Sequence, residues 1–202
     1  MQTTDVTRRQ DSSTARKFLL GPALMAGYGL VRLAGRAVGD YGPGAWWSVA
    51  HLLFLAGVLA FVPVFRGLRM PDGARGAGRA GVRVAAGAGL LGVAAVTVQA
   101  VIDLAVGFVA ADDRAMSDMF EKVQDVPGVM PVVYTAVPML FWLGLLALVT
   151  LLAFLRRNEV PAWSPLLVLA GTVMMAVSLD LLTAGALCIG LALFPVRRGL
   201  PD

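Results

Sequence analysis

Residues 84–110 read VAAGAGLLGVAAVTVQAVIDLAVGFVA, a stretch in which Asp103 is the one charged residue. About 20 apolar residues let an α-helix cross the ~30 Å hydrocarbon core of a bilayer, so this stretch predicts a membrane span with room to tilt. The rest of the chain agrees, because 58% of its 202 residues are hydrophobic, 15% are charged and the mean hydropathy is +0.76. This composition argues against both a disordered chain and an ordinary soluble domain. We therefore expect an all-α, polytopic transmembrane helical bundle.

Four further apolar segments surround this one. Glycine and proline in Gly39 to Gly44 predict a tight turn, and the arginines and glycines of Arg66 to Arg83 predict a loop. Pro165 to Pro195 covers 31 residues, too many for one untilted crossing and too few for two crossings with a turn, so we expect one long or kinked helix. The prediction is one domain over residues 18–195 with five spans, with six or four as alternatives, at residues 18–38, 46–65, 84–110, 131–155 and 165–195.

The segments outside the spans differ in character. Residues 1–17 are polar and without periodicity, which predicts a disordered cytoplasmic tail, and residues 196–202 form a second tail. Residues 18–38 have a secretory signal peptide as their alternative, because a basic stretch precedes them. Between the third and fourth spans, apolar residues recur at helical spacing among five carboxylates, which predicts a short amphipathic helix on the membrane surface: Met116, Met119, Phe120 and Val123.

The distribution of lysine and arginine predicts the orientation. With the N-terminus in the cytoplasm, five spans leave eleven of these residues in inside segments and four in outside segments. The positive-inside rule therefore favours a multi-pass protein of the cell membrane with a cytoplasmic N-terminus. Arg197 and Arg198 oppose this count, because they favour a cytoplasmic C-terminus and an even number of spans.

The composition also excludes several classes of function. One histidine and one cysteine, Cys188, leave too few ligands for a zinc site or for a haem with two axial histidines, so we expect neither a metal nor another cofactor. The net charge of +4 comes from basic residues between apolar segments, which are topology signals, so we expect no nucleic-acid partner. The expected partners are the lipid bilayer and either another protein or further copies of the chain.

Ionisable residues inside the spans are the candidate site, because each costs a few kcal/mol there unless it is paired or faces a polar cavity. They are Arg32 and Arg36 in the first span, His51 in the second, Asp103 in the third and Asp180 in the fifth, with Gln99 and Tyr134 as polar companions. At 1.5 Å per residue, one group from each of these four spans lies roughly 8 to 10 Å below the outer membrane edge. The sequence thus predicts one polar cluster in the outer half of the bundle.

The faces of two spans support this cluster. Small or polar residues recur at steps of three or four in the third span, at Ala88, Gly92, Ala95, Gln99, Asp103 and Gly107, and in the fifth, at Thr172, Ala176, Asp180 and Ala184. Such a stripe is typical of an inward face with close helix packing. Both carboxylates are therefore expected to point into the bundle, toward Arg32 and His51.

These residues allow three functions. The first is a non-catalytic membrane partner, immunity factor or accessory subunit in which the cluster is structural. The second is an intramembrane enzyme on a lipid-soluble substrate, for example protonation-initiated isoprenoid cyclisation, with Asp103 or Asp180 as the catalytic acid, His51 as a relay and Phe141 or Trp142 near the cation. The third is a proton-coupled transporter of small molecules, although no inverted repeat is present.

The stretch WWSVAHLLFLAG at residues 46–57 is followed by Arg66-Gly67-Leu68, a loop rich in glycine and arginine, and Asp103 late in the next helix. Over residues 40–110 the chain resembles small uncharacterised multi-helix integral membrane proteins of high-GC bacteria. The resemblance implies a bundle of four to six helices. It implies no established reaction and transfers no catalytic residue.

Overall fold

The computed structural model describes residues 3–67, 76–156 and 158–196, with side chains from Phe18 onward. The structure is 86% helical, and the described residues form no strand, which confirms the all-α class. The α-helices are α1 (Thr3–Ala37), α2 (Ala45–Leu59), α3 (Val62–Gly67), α4 (Ala77–Val109), α5 (Asp113–Gln124), α6 (Ala136–Leu155), α7 (Trp163–Val177) and α8 (Leu182–Val196).

Five helical segments of the described residues are long and apolar enough to cross a membrane, as predicted, and this is the architecture of a multi-pass membrane protein. They are Phe18–Ala37, Ala45–Gly67, Ala77–Val109, Met130–Leu155 and Leu179–Val196. The first four begin and end within a few residues of the predicted spans, except that α4 begins at Ala77 rather than at Val84. The fifth segment differs from its prediction.

The predicted single helix from Pro165 to Pro195 is wrong, because the chain reverses direction within it. Ser178 has extended backbone angles, and its hydroxyl accepts a hydrogen bond from the Asp180 amide at 3.1 Å, so it ends α7 and starts a short 3₁₀ turn. Gly171 then packs on Ile189 and Gly185 packs on Met175. Those pairs are symmetric about residue 180, so α7 and α8 form an antiparallel hairpin.

Two helices and a turn fit into this segment because both helices are short. With 15 residues each, α7 and α8 are about 22 Å long, and the turn between them needs only residues 178–181. The predicted stripe of Thr172, Ala176, Asp180 and Ala184 is consequently not an inward face, since Ala176 and Asp180 are exposed. The contact faces use larger residues and glycine instead, including Val168, Gly171, Met175, Gly185 and Ile189.

The first helix also differs from the prediction at its start. α1 begins at Thr3, so residues 3–17 are helical rather than a disordered tail. Neither glycine nor proline occurs between Thr3 and Leu20, and the helix of the first span therefore continues toward the N-terminus without a strong breaker.

Proline shapes two of the other spans. Pro63 cannot donate to the carbonyl of Leu59, and the second span accordingly breaks at residues 60–61 into α2 and α3. Pro138 likewise cannot donate to the carbonyl of Tyr134, and the turn before α6, Met130–Thr135, is π-helical. There the Thr135 hydroxyl donates to the Met130 carbonyl at 3.0 Å.

Six helices close a ring, in which each helix packs against the next and the last returns to the first: α1, α2, α4, α6, α7 and α8. Neighbours are antiparallel, as shown for α1 and α8 by Gly29 next to Thr183 and Gly190 next to Pro22. Val196, the last described residue, therefore lies at the same end of the bundle as Phe18, where the first span begins. We call this the terminal end, and we call the opposite end, which carries α5, the α5 end.

The predicted amphipathic helix is confirmed as α5. Asp112 caps it, because the carboxylate accepts a hydrogen bond from the Ala115 amide at 2.8 Å. Met116 on its inner face is buried, and Phe120 packs on Trp47 with ring centroids 6.0 Å apart. This helix thus covers the start of α2 at the α5 end.

Candidate functional site

The ionisable residues of the predicted cluster form two groups at the α5 end. The first group joins α1 to the tip of the α7–α8 hairpin. The guanidinium of Arg32 donates to the Asp180 carboxylate, and Nη1 of Arg36 lies 2.7 Å and 3.0 Å from the two oxygens of the same carboxylate. We call Arg32, Arg36 and Asp180 the tip clamp. Because the tip clamp lies at the α5 end of the bundle, the Asp180 side chain is 45% exposed.

A hydrogen bond and a close backbone approach support the tip clamp one turn deeper. The Thr183 hydroxyl, on the first turn of α8, donates to the Ala26 carbonyl of α1 at 3.3 Å. Gly29 lies against Thr183, and a side chain there would collide with the threonine hydroxyl. The tip of the hairpin is therefore fixed on α1 by ionic contacts, a neutral hydrogen bond and steric fit.

The second group is buried between α2 and α4. His51 is only 4% exposed and Asp103 only 9%, and Nε2 of His51 lies 3.9 Å from Oδ2 of Asp103. Nδ1 of His51 is 2.9 Å from the carbonyl oxygen of Trp47, one helical turn earlier. Since a carbonyl only accepts, Nδ1 carries a proton and Nε2 faces the carboxylate. We call His51 and Asp103 the buried pair.

Aromatic rings enclose the histidine of the buried pair. The Trp47 ring stacks on the His51 ring at 4.0 Å between centroids, and Tyr28 approaches it edge-on at 5.5 Å. The indole N–H of Trp47 donates to the backbone carbonyl of Asp103 at 2.8 Å, which ties α2 to α4 a second time. The imidazole is therefore held in one orientation.

Tyr134, from the π-helical turn, is the third member of this region. Its hydroxyl is buried and interacts with the Asp103 carboxylate, but it makes no hydrogen bond of normal length. A regular α-helix advances 100° per residue, whereas a π-helical turn inserts an extra residue and re-aims the side chains that follow. The π-helical turn that Pro138 favours thereby sets the direction of Tyr134.

Tyr41 connects the two groups. It lies in the turn between α1 and α2, where its ring faces the Arg32 guanidinium at 5.7 Å and packs on Trp47 at 5.5 Å. Burial raises the pKa of the Tyr41 phenol above its ordinary value, so at neutral pH the hydroxyl stays protonated. A cation over an aromatic ring is a favourable contact. Through Tyr41, Arg32 of the tip clamp is therefore packed against the Trp47 ring that stacks on His51.

The structure thus divides the residues that the sequence places in one cluster between two groups. Asp180 contacts Arg32 and Arg36, and Asp103 approaches His51 and Tyr134. Gln99 does not take part: it is half-buried and makes no polar contact within the described part of the chain. Asp180 reaches its position from the tip of a hairpin, not from the middle of a helix.

Three aromatic residues of the site were missed in the sequence: Tyr28, Tyr41 and Trp47. Trp47 has a local signal, because its spacing of four residues from His51 places both side chains on one helical face. Tyr28 and Tyr41 carry no such local signal, because their contacts depend on how α1 packs against α2.

The aromatic residues suggested for the enzyme alternative lie elsewhere. Phe141 is fully buried against Phe61 and Phe65, and its backbone meets Gly92 of α4. Gly92 is eleven residues before Asp103 on α4, a distance of about 16 Å along the helix axis. Phe141 therefore does not face the Asp103 carboxylate.

Comparison of the chain with known protein families, curated proteins and solved structures finds no match. The resemblance of residues 40–110 to small bacterial membrane proteins stays a prediction. The arguments about function consequently depend on the contacts of the site itself.

Proposed function

We propose that this chain is a non-catalytic integral protein of the cell membrane, acting as a partner, immunity factor or accessory subunit. One observation carries the proposal: the charged residues of the spans are used in contacts between helices. Asp180 is bonded to Arg32 and Arg36 of α1. Asp103 is shared between His51 of α2 and Tyr134. Groups in such contacts hold a bundle in register.

A cytoplasmic N-terminus is part of the proposal, and the hairpin supports it. With α7 and α8 antiparallel, the start of the first span at Phe18 and the last described residue, Val196, both lie at the terminal end of the bundle. Apart from Arg32 and Arg36, thirteen lysines and arginines then belong in sequence to the segments of the terminal end, whereas Arg114 and Lys122 belong to the α5 end. Arg197 and Arg198 oppose a topology with an odd number of crossings. They agree with the present arrangement, in which the α7–α8 hairpin returns the chain to the terminal end.

Thiol labelling in intact cells tests this orientation, because Cys188 is the only cysteine of the chain. In a Cys188→Ser background, Asp118→Cys and Arg79→Cys each place one thiol at an exposed position, on α5 and near the start of α4 respectively. A membrane-impermeant maleimide is expected to label only the first variant, and both after the cells are opened. Labelling of the Arg79→Cys variant in intact cells would show the reverse orientation.

The non-catalytic role is tested by comparing lipid extracts from cells that carry wild type, Asp103→Asn or Asp180→Asn. We expect the same lipid species in all three, and a lower folded yield for both variants. A lipid product that requires Asp103 in a variant of normal yield would contradict the proposal.

That outcome would favour the second candidate, an intramembrane enzyme with Asp103 as the acid. One observation supports it, namely that Asp103 is a buried carboxyl group beside a histidine and a buried tyrosine hydroxyl. Such a constellation is also typical of general acid catalysis. Phe141 would take no part in it, and the aromatic residues near the reacting group would be Tyr28 and Trp47.

A further inference from the structure

The hydrogen bonds of His51 define the chemistry of the buried pair. Nδ1 donates to the Trp47 carbonyl at 2.9 Å, so in neutral His51 the other ring nitrogen, Nε2, has a lone pair and no proton. That lone pair faces Oδ2 of Asp103 at 3.9 Å. If Asp103 is ionised and His51 is neutral, two acceptors face each other in a site almost without access to water.

We propose that His51 and Asp103 together hold one proton, either on Nε2 or on Oδ2. With this proton, one of the two facing atoms is a donor and the other an acceptor, so the 3.9 Å contact between α2 and α4 is attractive rather than repulsive. Without it, a buried negative charge faces a lone pair, which is costly in a low-dielectric environment. The proposed function requires only a structural contact at this place, so the proton site goes beyond it.

The surroundings determine how the proton is held. Tyr28 and Arg32 face the pair from α1, Tyr41 from the turn that follows, and Tyr134 from the π-helical turn. The Arg32 charge is engaged by Asp180. Phe120 of α5 lies behind Trp47 and does not titrate. His51 and Asp103 each lie six residues from the α5 end of their helix, at a depth of about 9 Å.

The Tyr134 hydroxyl stabilises the buried pair after it has released the proton. Its buried hydroxyl lies beside Asp103 and interacts with the carboxyl group, although it makes no hydrogen bond of normal length. When the proton leaves, the ionised carboxylate becomes a stronger acceptor and draws the Tyr134 hydroxyl closer. Asp103 therefore has groups on two elements beside it: His51, with which it holds the proton, and Tyr134, which donates to the carboxylate after the proton is released.

The experiment uses the full-length wild-type protein in nanodiscs at pH 7. His51 is the only histidine of the chain, so ring-¹⁵N histidine gives one pair of NMR signals. We expect a protonated Nδ1, together with either a proton on Nε2 or a carboxylic acid C=O band in the infrared spectrum of ¹³C-aspartate protein. Either result places the proton on the pair. An unprotonated Nε2 without any buried carboxylic acid band would overturn the proposal.

Three variants make the assignment specific. Asp103→Asn is expected to abolish the titration of the shared proton, since the asparagine amide donates to Nε2 of His51 and has no dissociable proton. Asp180→Asn is expected to leave the His51 ring-¹⁵N signals unchanged. Tyr134→Phe is expected to shift release of the proton to higher pH, because the ionised carboxylate loses the Tyr134 hydroxyl as a donor. An unchanged titration in Asp103→Asn would refute the shared proton. It would leave the proposed structural role standing, because that role is measured by yield and not by protonation.

Discussion

The contact between α4 and α6 and the α5 end of the bundle hold helices together by different means. Between α4 and α6 the backbones touch: Gly144 lies against Gly89, and Gly92 lies against the backbone of Phe141. At the α5 end, polar side chains also join the helices, as in the tip clamp and the buried pair. Backbone packing of glycines offers no side-chain groups that bind protons or ligands. Polar side chains can change partners when a proton or another protein binds. The two kinds of contact are therefore expected to respond to different substitutions.

Gly92→Ala is expected to have the largest effect, because the added methyl group would collide with the backbone of Phe141. Overpacking of this kind costs roughly 3 kcal/mol or more when backbone cannot move. We expect most of the monodisperse fraction in size-exclusion chromatography to be lost. Gly87→Ala in the same helix is the control, since Gly87 has no neighbour within 4 Å of the added carbon. A stable Gly92→Ala protein would mean that α4 and α6 are not in backbone contact.

Asp180→Asn is expected to have an intermediate effect, a decrease of a few degrees in the thermal unfolding midpoint in detergent. The substitution removes the charge that Arg32 and Arg36 share, and it leaves two guanidinium groups close together. Glu159→Gln is the matched control, because Glu159 contacts Arg156 only three residues away, within one loop. Equal losses in both variants would argue against a special role for the hairpin tip.

Trp47→Phe sharpens the comparison at the buried pair. The ring remains to stack on His51, but the N–H that donates to the Asp103 carbonyl is lost. Hydrogen bonds between membrane helices contribute about 1 kcal/mol. We expect a loss of this size in a chemical unfolding series, and a loss near zero would mean that water replaces the indole.

Asp112→Ala is expected to have the smallest effect on the bundle. The cap of α5 is lost with its hydrogen bond from Ala115, at a local cost of about 1 kcal/mol. Amide hydrogen exchange should accelerate in the first turn of α5 and stay unchanged in α4. Faster exchange throughout α4 would show that α5 helps to hold the bundle.

The sequence predicts the fold well where the signal is a long apolar run. It predicts α4 and the spans at residues 46–65 and 131–155, as well as the amphipathic spacing of α5. The hairpin of α7 and α8 was missed because residues 175–185 contain Gly185 but no proline, and the reversal depends on capping by Ser178. The 31-residue length and the Gly171–Gly185 pair were the available signals.

The ionisable residues of the candidate site also stand out in the sequence because of the long apolar runs. A charged residue inside an apolar run is costly, so Arg32, His51, Asp103 and Asp180 are recognisable in the sequence alone. Their pairing is not, because it depends on the neighbours of each helix in the ring. The aromatic side chains were also missed, since tyrosine at a membrane interface is common and carries no information about a site.

The most direct test of the account is a double-mutant cycle on the tip clamp, with Arg32→Gln, Asp180→Asn and both changes together. The free energy of unfolding is measured for each protein in the same bicelles. If the polar residues at the α5 end hold the hairpin on α1, the double variant loses clearly less stability than the sum of the single variants. Strictly additive losses would contradict the account, because they would mean that Arg32 and Asp180 act independently of one another.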